Sequence, residues 1–204
     1  MCWLQSIRPH IFRSFRPPSI VTRGGWHYCW VTHFFNAPVD FVAAERMWDE
    51  YSMAHPEAVR TDPEAGRADP EYVVERFGDS ARLADELLFE VTHGVKRATA
   101  ELVAEYEAAG ESIPQAGSHW IACDGSGRPR VVIRTTEVRI APFTDVDQAF
   151  AWDEGEDDRT LESWQREHRK YWLRVCAARG VPWSENDDIV LERFAVVWPP
   201  EFRD

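Results

Sequence analysis

The order of the predicted elements favours an α+β fold built on a small β-barrel or a strongly curved sheet. Two helices come first, the hydrophobic period then changes from that of helices to that of strands, and a further helix and strand end the chain. The chain has 204 residues, of which 44% are apolar, so one domain with a substantial core is expected. No apolar run is as long as a membrane span, and no membrane partner is expected.

The N-terminal region differs in composition from the rest of the chain. Residues 1–46 contain five arginines but only two acids, and prolines and glycines interrupt their apolar stretches. We expect a poorly ordered N-terminal extension there, ahead of a domain that spans residues 47–204. Met47 or Met53 would make a better start, and an Arg-rich transit peptide is the alternative. Residues 56–70, rich in Pro, Ala, Asp and Glu, predict a flexible linker.

Two helices are predicted before the strands. Ser80 provides an N-cap ahead of leucines at helical spacing, and Gly94 follows that helix where a C-terminal cap is usual. A second helix is expected to start near Thr99 and to end at Gly110. Residues 94–99 would then form the junction between the two helices.

The later elements are predicted from a change of period and from turn signals. Residues 119–123 and 130–140 are rich in β-forming side chains, and the sequence Asp-Gly-Ser-Gly at residues 124–127 predicts a hairpin turn between them. A third helix is expected from about Thr160, and residues 189–198 predict a last strand.

The charge of the predicted domain limits its partners. Residues 47–204 contain 18 basic and 33 acidic residues, and such a body repels the phosphates of a duplex. Duplex DNA is therefore not an expected partner, and any nucleic acid should be bound by a local site that recognises a base or nucleotide. The four cysteines form no C-x-x-C pair, so we predict no metal, no cofactor, and reduced thiols in the cytoplasm.

Lys96 is the first candidate for chemistry because 21 of the 23 basic residues are arginines. A lysine can lose its proton when it is desolvated, whereas an arginine cannot. Thr99 lies three residues later, so on a helix its hydroxyl would share a face with the amine, near free N–H groups that favour an oxyanion. A surface lysine beside an ordinary helix start is the alternative.

An acidic run and one histidine are the other candidates. Five acids occupy six positions at residues 153–158. They predict either a solvated loop before a helix or a buried glutamate that tunes the pKa of a lysine. His168 lies in the apolar stripe of the third helix, where a hydrogen-bonded core histidine is usual. Trp164 of the same helix is either core or a surface on which a base stacks.

Signatures of several large enzyme classes are missing. The chain has no G-x-x-x-x-G-K-[ST], no G-x-S-x-G and no H-E-x-x-H segment. The sequence therefore gives no support to ATP hydrolysis, a serine hydrolase or a zinc protease.

An ordered series of short segments resembles the ASCH family, in its longer bacterial subgroup, over roughly residues 47–198. The resemblance implies a PUA-like small β-barrel with helices that flank a cleft, and a role in RNA binding. The matching segments are F-G-D (77–79), A-D-E-L (84–87), G-V-K-R-A-T (94–99), T-T-E-V (135–138), P-F (142–143), E-G-E (154–156), L-E-S-W (161–164), His168 and E-R-F (192–194).

One branch of the ASCH family is an amidohydrolase that removes the acyl group from N4-acetylcytidine. Its G-x-K-x-x-T motif corresponds to Gly94, Lys96 and Thr99. By resemblance, Thr99 would attack the amide carbonyl, Lys96 would accept its proton, and Glu154 would orient or protonate the substrate. That branch has arginine two residues after the threonine, whereas this chain has Glu101.

We also expect five ligand contacts around the cleft from this resemblance. They are Gly94, Arg97, Glu156, Trp164 and His168, with Glu156 also the alternative to Glu154 as the functional acid.

Two functions from different classes remain open at this point. The first is an enzyme that hydrolyses an N4-acylcytidine-type amide in a barrel-side cleft. The second is a module that binds a nucleoside or short single-stranded RNA without chemistry. RNA cleavage is a third possibility, for which the sequence offers no clear acid–base pair.

Overall fold

The computed structural model describes residues 37–58 and 72–204. In this part of the chain a mixed five-stranded sheet curls into a half-barrel that is flanked by five α-helices. The helices are α1 (Phe41–Ala54), α2 (Ala81–Thr92), α3 (Val103–Ala109), α4 (Gln148–Glu154) and α5 (Leu161–Ala178). The strands are β1 (Val73–Arg76), β2 (Ala98–Leu102), β3 (His119–Cys123), β4 (Pro129–Pro142) and β5 (Asp188–Trp198). The predicted α+β class with a strongly curved sheet is confirmed.

The strand order in the sheet is β1-β3-β4-β5-β2. Only the β1–β3 pair is parallel, and the other neighbours are antiparallel. The pairing of β4 with β5 shifts register between Thr135 and Glu137, as a bulge does, and bulges increase the local twist and bend of a strand. This irregularity in the longest strand contributes to the curl of the sheet.

Three groups of buried side chains hold the helices on the sheet. The first lies between β2, β5 and α5 and includes Leu191 and Trp172; the second lies under α2 and includes Phe194. The third lies under α1 and includes Trp48. Residues 191 and 194 of β5 belong to different groups because side chains alternate between the faces of a strand.

Helix α1 begins inside the segment that was predicted to be an extension. The side chain of Asp40 caps it by accepting a hydrogen bond from the N–H of Ala43 at 2.9 Å, and Ala44 and Trp48 pack against the sheet. The predicted boundary between residues 46 and 47 therefore falls within a helix. Residues 1–36, and residues 59–71 of the predicted linker region, lie outside the described residues.

The second predicted helix starts later than the sequence indicated. Residues 98–102 form strand β2, which pairs with β5, and α3 covers only Val103–Ala109 before Gly110 ends it with φ 67°. Strand pairing prevails because Ala98, Ala100 and Leu102 alternate onto the first core group. The expectation of Thr99 at a helix start is wrong, and so is the argument that Lys96 and Thr99 share a helical face.

The other predicted elements agree with the structure. Ser80 caps α2 and Thr160 caps α5, each by accepting a hydrogen bond from the N–H three residues later, at 3.3 and 3.1 Å. The hairpin around residues 124–127 joins β3 to β4, and β5 forms the last strand. Helices α1 and α4 and the four-residue strand β1 were not predicted.

Candidate functional site

The segment between α2 and β2 carries Lys96 and is fixed by backbone hydrogen bonds. Gly94 adopts φ 81° and turns the chain after α2. The N–H groups of Val95 and Lys96 then donate to the carbonyl of Glu90 at 2.9 and 3.3 Å, and the N–H of Arg97 donates to the carbonyl of Asp153 at 2.7 Å. These bonds hold the Lys96 backbone against the end of α4.

Gly155 permits this close approach. It follows α4 with φ 77°, and a Cβ at this position would lie 2.5 Å from the carbonyl oxygen of Val95. A side chain would also be strained by the left-handed backbone conformation. Glycine is therefore required where the end of α4 meets the Lys96 segment.

The ammonium group of Lys96 is fully buried and lies between two glutamates. Nζ donates to Oε1 of Glu156 at 2.7 Å and to the carbonyl oxygen of Glu154 at 3.4 Å, and it lies 3.7 Å from Oε1 of Glu154. It also lies 5.9 Å from the centre of the Phe77 ring. A buried ammonium costs several kcal/mol unless charges and hydrogen bonds compensate, and both carboxylates do so here.

Glu154 is fully buried and connects Lys96 to helix α5. Its Oε2 accepts a hydrogen bond from Nε1 of Trp164 and lies 3.6 Å from Nε2 of His168. Its Oε1 has no hydrogen-bond partner within residues 37–58 and 72–204. The acidic run is therefore not only a solvated loop, because its second acid is part of a buried charge cluster.

His168 and Trp164 form a stacked pair beside Glu154. Their ring centres are 3.9 Å apart at an interplanar angle of 19°, and Nδ1 of His168 lies 3.0 Å from the carbonyl oxygen of Trp164, one turn earlier. Nδ1 therefore carries a proton and donates it to this carbonyl, and Nε2 is the ring nitrogen that faces Glu154.

The charges in this cluster reinforce one another. Burial would lower the pKa of Lys96, but the carboxylates of Glu156 and Glu154 outweigh it and hold that pKa above its usual value. Burial would raise the pKa of Glu154, but His168 and Lys96 outweigh burial and hold that pKa below its usual value. The pKa of His168 is raised because the Glu154 carboxylate outweighs burial. The pKa of Lys96 thus moves opposite to the direction that desolvation alone predicts.

A cleft between α2 and α5 opens above this cluster. Its volume is about 460 Å³, including the space at its open mouth. Its residues come from α2, from the loop after α4 and from α5, and four of the nine are acids. They are Leu83, Leu87, Glu90, Glu156, Asp157, Ser163, Trp164, Glu167 and His168.

The structure brings together five of the eight predicted site residues. Direct contacts join Lys96, Glu154, Glu156, Trp164 and His168. Glu154 and Glu156, the two alternatives for the functional acid, both contact Lys96. Glu154 is fully buried, and Glu156 lies at the wall of the cleft.

The other three predicted site residues do not line the cleft. Gly94 shapes the backbone, and Arg97 donates to the carboxylate of Asp204 and to the carbonyl of Val91 at 2.7 Å. Thr99 is buried on β2 opposite Glu192. Glu101, at the position where the amidohydrolase branch has arginine, accepts a hydrogen bond from the N–H of Leu102 at 2.8 Å.

Sequence reasoning missed Glu90, which lines the cleft. A usable signal existed: Leu83, Leu87 and Glu90 follow the i, i+4, i+7 spacing of one helical face, so an acid interrupts an otherwise apolar stripe. Glu167 and Asp157 carried no comparable signal, because acids on a helix exterior or in a loop are common.

Comparison with known proteins agrees with this fold. The ASCH domain family matches residues 73–198, and the chain belongs to that family. A crystal structure of an ASCH domain from Lactobacillus crispatus JV V101 has a TM-score of 0.66 and 26% identity, over 81% of this chain and 99% of that one. A protein of Enterococcus faecalis V583 has a TM-score of 0.64 and 29% identity, over 77% of this chain and 89% of that one. A search of curated proteins found no match.

The family assignment confirms the resemblance seen in the sequence, and the ASCH domain is a PUA-like fold often linked to RNA binding. Within the described residues, no helix combines the length and apolar character that crossing a membrane requires. The same part of the chain contains no group of three or more His, Cys, Asp or Glu side chains arranged to hold a metal ion.

Proposed function

We propose that the cleft between α2 and α5 binds a nucleoside, or one base of a short single-stranded RNA. The observation that carries this proposal is the buried charge cluster of Lys96, Glu154, Glu156 and His168 beside the cleft. Replacing such a cluster by well-packed apolar side chains is often neutral or favourable for stability, so stability alone gives no reason for it. Ionisable groups that are buried and perturbed beside a cleft are candidates for function.

The charge of the cleft favours the base over the phosphate of a nucleotide. Glu90, Glu156, Asp157 and Glu167 line the cleft, and His168 is the only basic side chain in the lining. Carboxylates accept hydrogen bonds from amino groups and repel phosphates. The amino group and ring of a cytosine-type base fit this lining, and Lys96 lies behind it, where its ammonium holds the Glu156 carboxylate at the cleft wall.

Aromatic surfaces support the same ligand class. Proteins that recognise RNA sequence splay single-stranded bases out, stack them on aromatic rings and hydrogen-bond their edges. Trp164 lines the cleft, and its ring is stacked with both His168 and Phe143. A base that enters between α2 and α5 would therefore meet the edges of these rings on one side and Leu83 and Leu87 on the other.

Calorimetric titration with cytidine tests the binding proposal. Wild-type protein should bind cytidine, and Lys96→Met should weaken binding at least about tenfold, because Glu156 loses the ammonium that holds its carboxylate at the cleft wall and with it roughly one well-placed hydrogen bond to the base. Arg82→Met is the matched control, because it removes one positive charge from an exposed position of α2 that is outside the cleft lining. The proposal fails if cytidine does not bind, or if the two variants bind it equally well.

Hydrolysis of an N4-acylcytidine-type amide is the second candidate, and the contact of Lys96 with Glu154, at 3.7 Å, fits it. Because Thr99 is buried on β2 outside the cleft lining, the reaction also requires that the cleft open towards β2. In this reaction the Thr99 hydroxyl oxygen would bond to the acyl carbon while neutral Lys96 takes its proton. The C–N bond would break as Lys96 returns that proton to the leaving amine. Water would then release the acyl group from Thr99 as a carboxylic acid.

Release of acetate from N4-acetylcytidine tests hydrolysis separately from binding. The raised pKa of Lys96 leaves little neutral amine at neutral pH, so the rate should rise about tenfold per pH unit below that pKa. Lys96→Ala should abolish release, and Thr99→Val should abolish release but retain binding of cytidine. Release that persists in Lys96→Ala removes the catalytic assignment and leaves the binding proposal in place.

A further inference from the structure

Glu90 is a cleft residue to which neither the sequence nor the family resemblance assigns a role. We propose that Glu90 contacts the bound base as an uncharged carboxyl group, and donates a hydrogen bond to an acceptor atom on the edge of that base. The inference rests on the proposed binding of a base in the same cleft. It adds a specificity-determining residue and a pH dependence to that function.

The position of Glu90 is fixed relative to Lys96. Its backbone carbonyl accepts hydrogen bonds from the N–H groups of Val95 and Lys96, at 2.9 and 3.3 Å. Its side chain lines the cleft, and Oε2 is buried without a hydrogen-bond partner in the described part of the chain. A buried polar atom without a partner lowers the stability of the fold, and a ligand that supplies the partner recovers this free energy.

The charges that face Glu90 favour its neutral form. Burial and the carboxylate of Glu156 raise its pKa, and Lys96 and Arg159 oppose this effect without cancelling it. Glu86, one turn earlier on α2, adds a smaller effect that also raises the pKa, and Glu167 and His168 line the facing wall on α5.

Glu90 and Glu156 therefore differ in their hydrogen-bonding capacity. Glu156 is paired with the ammonium of Lys96 and offers acceptor oxygens, whereas Glu90 has no cation in hydrogen-bonding contact within the described residues. When two carboxyl groups share a site, the less compensated one holds the proton. The pair then offers one donor and one acceptor, which matches a base edge that presents an acceptor beside an amino group.

Cytidine titrations of wild type, Glu90→Gln and Glu90→Ala from about pH 5 to about pH 9 test this role. Wild-type affinity should be highest at low pH and should fall as pH rises through the pKa of Glu90, because the ionised carboxylate cannot donate. Glu90→Gln keeps an N–H donor at every pH, so it should retain affinity and lose this pH dependence. Glu90→Ala should lose at least about tenfold in affinity at low pH, the effect of one buried hydrogen bond.

A control and an independent readout separate the possible outcomes. Glu86→Gln makes the same substitution one turn away on α2, outside the cleft lining, and should keep the pH dependence, shifted slightly to lower pH because Glu86 adds to the raised pKa of Glu90. A carbon-13 NMR titration of the unliganded protein, with Glu90→Gln used for assignment, should show the Glu90 carboxyl titrating above the ordinary glutamate range. Cytidine binding that is equal in wild type and Glu90→Ala, or an ordinary titration of Glu90, overturns this inference alone. Absence of cytidine binding by the wild type overturns the proposed function and this inference with it.

Discussion

The side chain of Lys96 shows how a rare residue type can mark a buried site. Only two lysines occur in a chain with 21 arginines. One of them, Lys170, is on the surface, and the other is fully buried between Glu154 and Glu156. A point charge on a flexible stem fits between two carboxylates in a narrow space, whereas a planar guanidinium requires a wider one.

The pH dependence of stability tests the charge of His168. Its pKa is raised in the folded protein, so its contribution is fully present below the unfolded value of about 6.5 and is lost as pH rises through the folded pKa. The free energy of unfolding in urea should therefore fall as the pH rises above about 6.5 in the wild type, and less so in His168→Gln. His93→Gln, at an exposed position, is the control and should follow the wild type. An equal fall in His168→Gln would show that His168 is not charged in the fold.

The sequence predicted several residues of the charge cluster, but it did not predict the direction of the Thr99 side chain. The scarcity of lysine singled out Lys96, and the acidic run pointed to residues 153–158, whereas only the family resemblance singled out Glu154 and Glu156 within that run. The orientation of Thr99 could not be predicted, because it depends on whether residues 98–102 form a helix or a strand. That choice is made by pairing with β5, far later in the chain.

At the scale of elements, the site is assembled where two helices, α2 and α4, end. The C-terminal end of α2 supplies Glu90, the following segment supplies Lys96, and the end of α4 supplies Glu154. Glycines Gly94 and Gly155 let these ends meet, each with a positive φ. The N-caps of α2 and α5 were predictable because capping depends on residues close in sequence, whereas the short α4 was not, since its apolar residues lack a full helical stripe.

Gly155→Ala tests whether this junction positions the cluster. The new Cβ would lie 2.5 Å from the Val95 carbonyl oxygen, so we expect a loss of roughly 2–4 kcal/mol, combining backbone strain and overpacking, and weaker cytidine binding. Gly110→Ala is a matched control, because Gly110 has φ 67° but nothing within 4 Å of the added Cβ. It should lose only about 1–2 kcal/mol in urea unfolding and keep wild-type binding. Equal losses in both variants would mean that the close approach at Gly155 is not important.

At the scale of the whole molecule, the excess of acidic residues should repel the phosphates of an RNA ligand. Residues 47–204 contain 33 acids and 18 basic residues, and acids also outnumber basic residues in the cleft lining. We therefore expect the protein to gain little affinity from counterion release if it binds RNA. The fold class itself was predictable from the order of elements, whereas α1 was hidden because the composition before it resembles that of an unfolded segment.

The salt dependence of RNA binding follows from this charge distribution. For a short cytidine-containing single strand, the slope of log K against log salt concentration should be smaller in magnitude than about 0.7, because no more than one phosphate is neutralised. Fluorescence anisotropy of a labelled oligonucleotide at several salt concentrations measures this slope. A slope of about 3 or more would identify a multi-phosphate contact and would contradict recognition of a base alone.

A crystal structure of the protein with cytidine tests the placement of the ligand most directly. The base should lie between α2 and α5, against the edge of the Trp164 ring, with its polar edge within hydrogen-bonding distance of Glu156 or Glu90. Its sugar should point towards solvent. Cytidine bound elsewhere on the molecule, with the cleft between α2 and α5 unchanged, would contradict the proposed function.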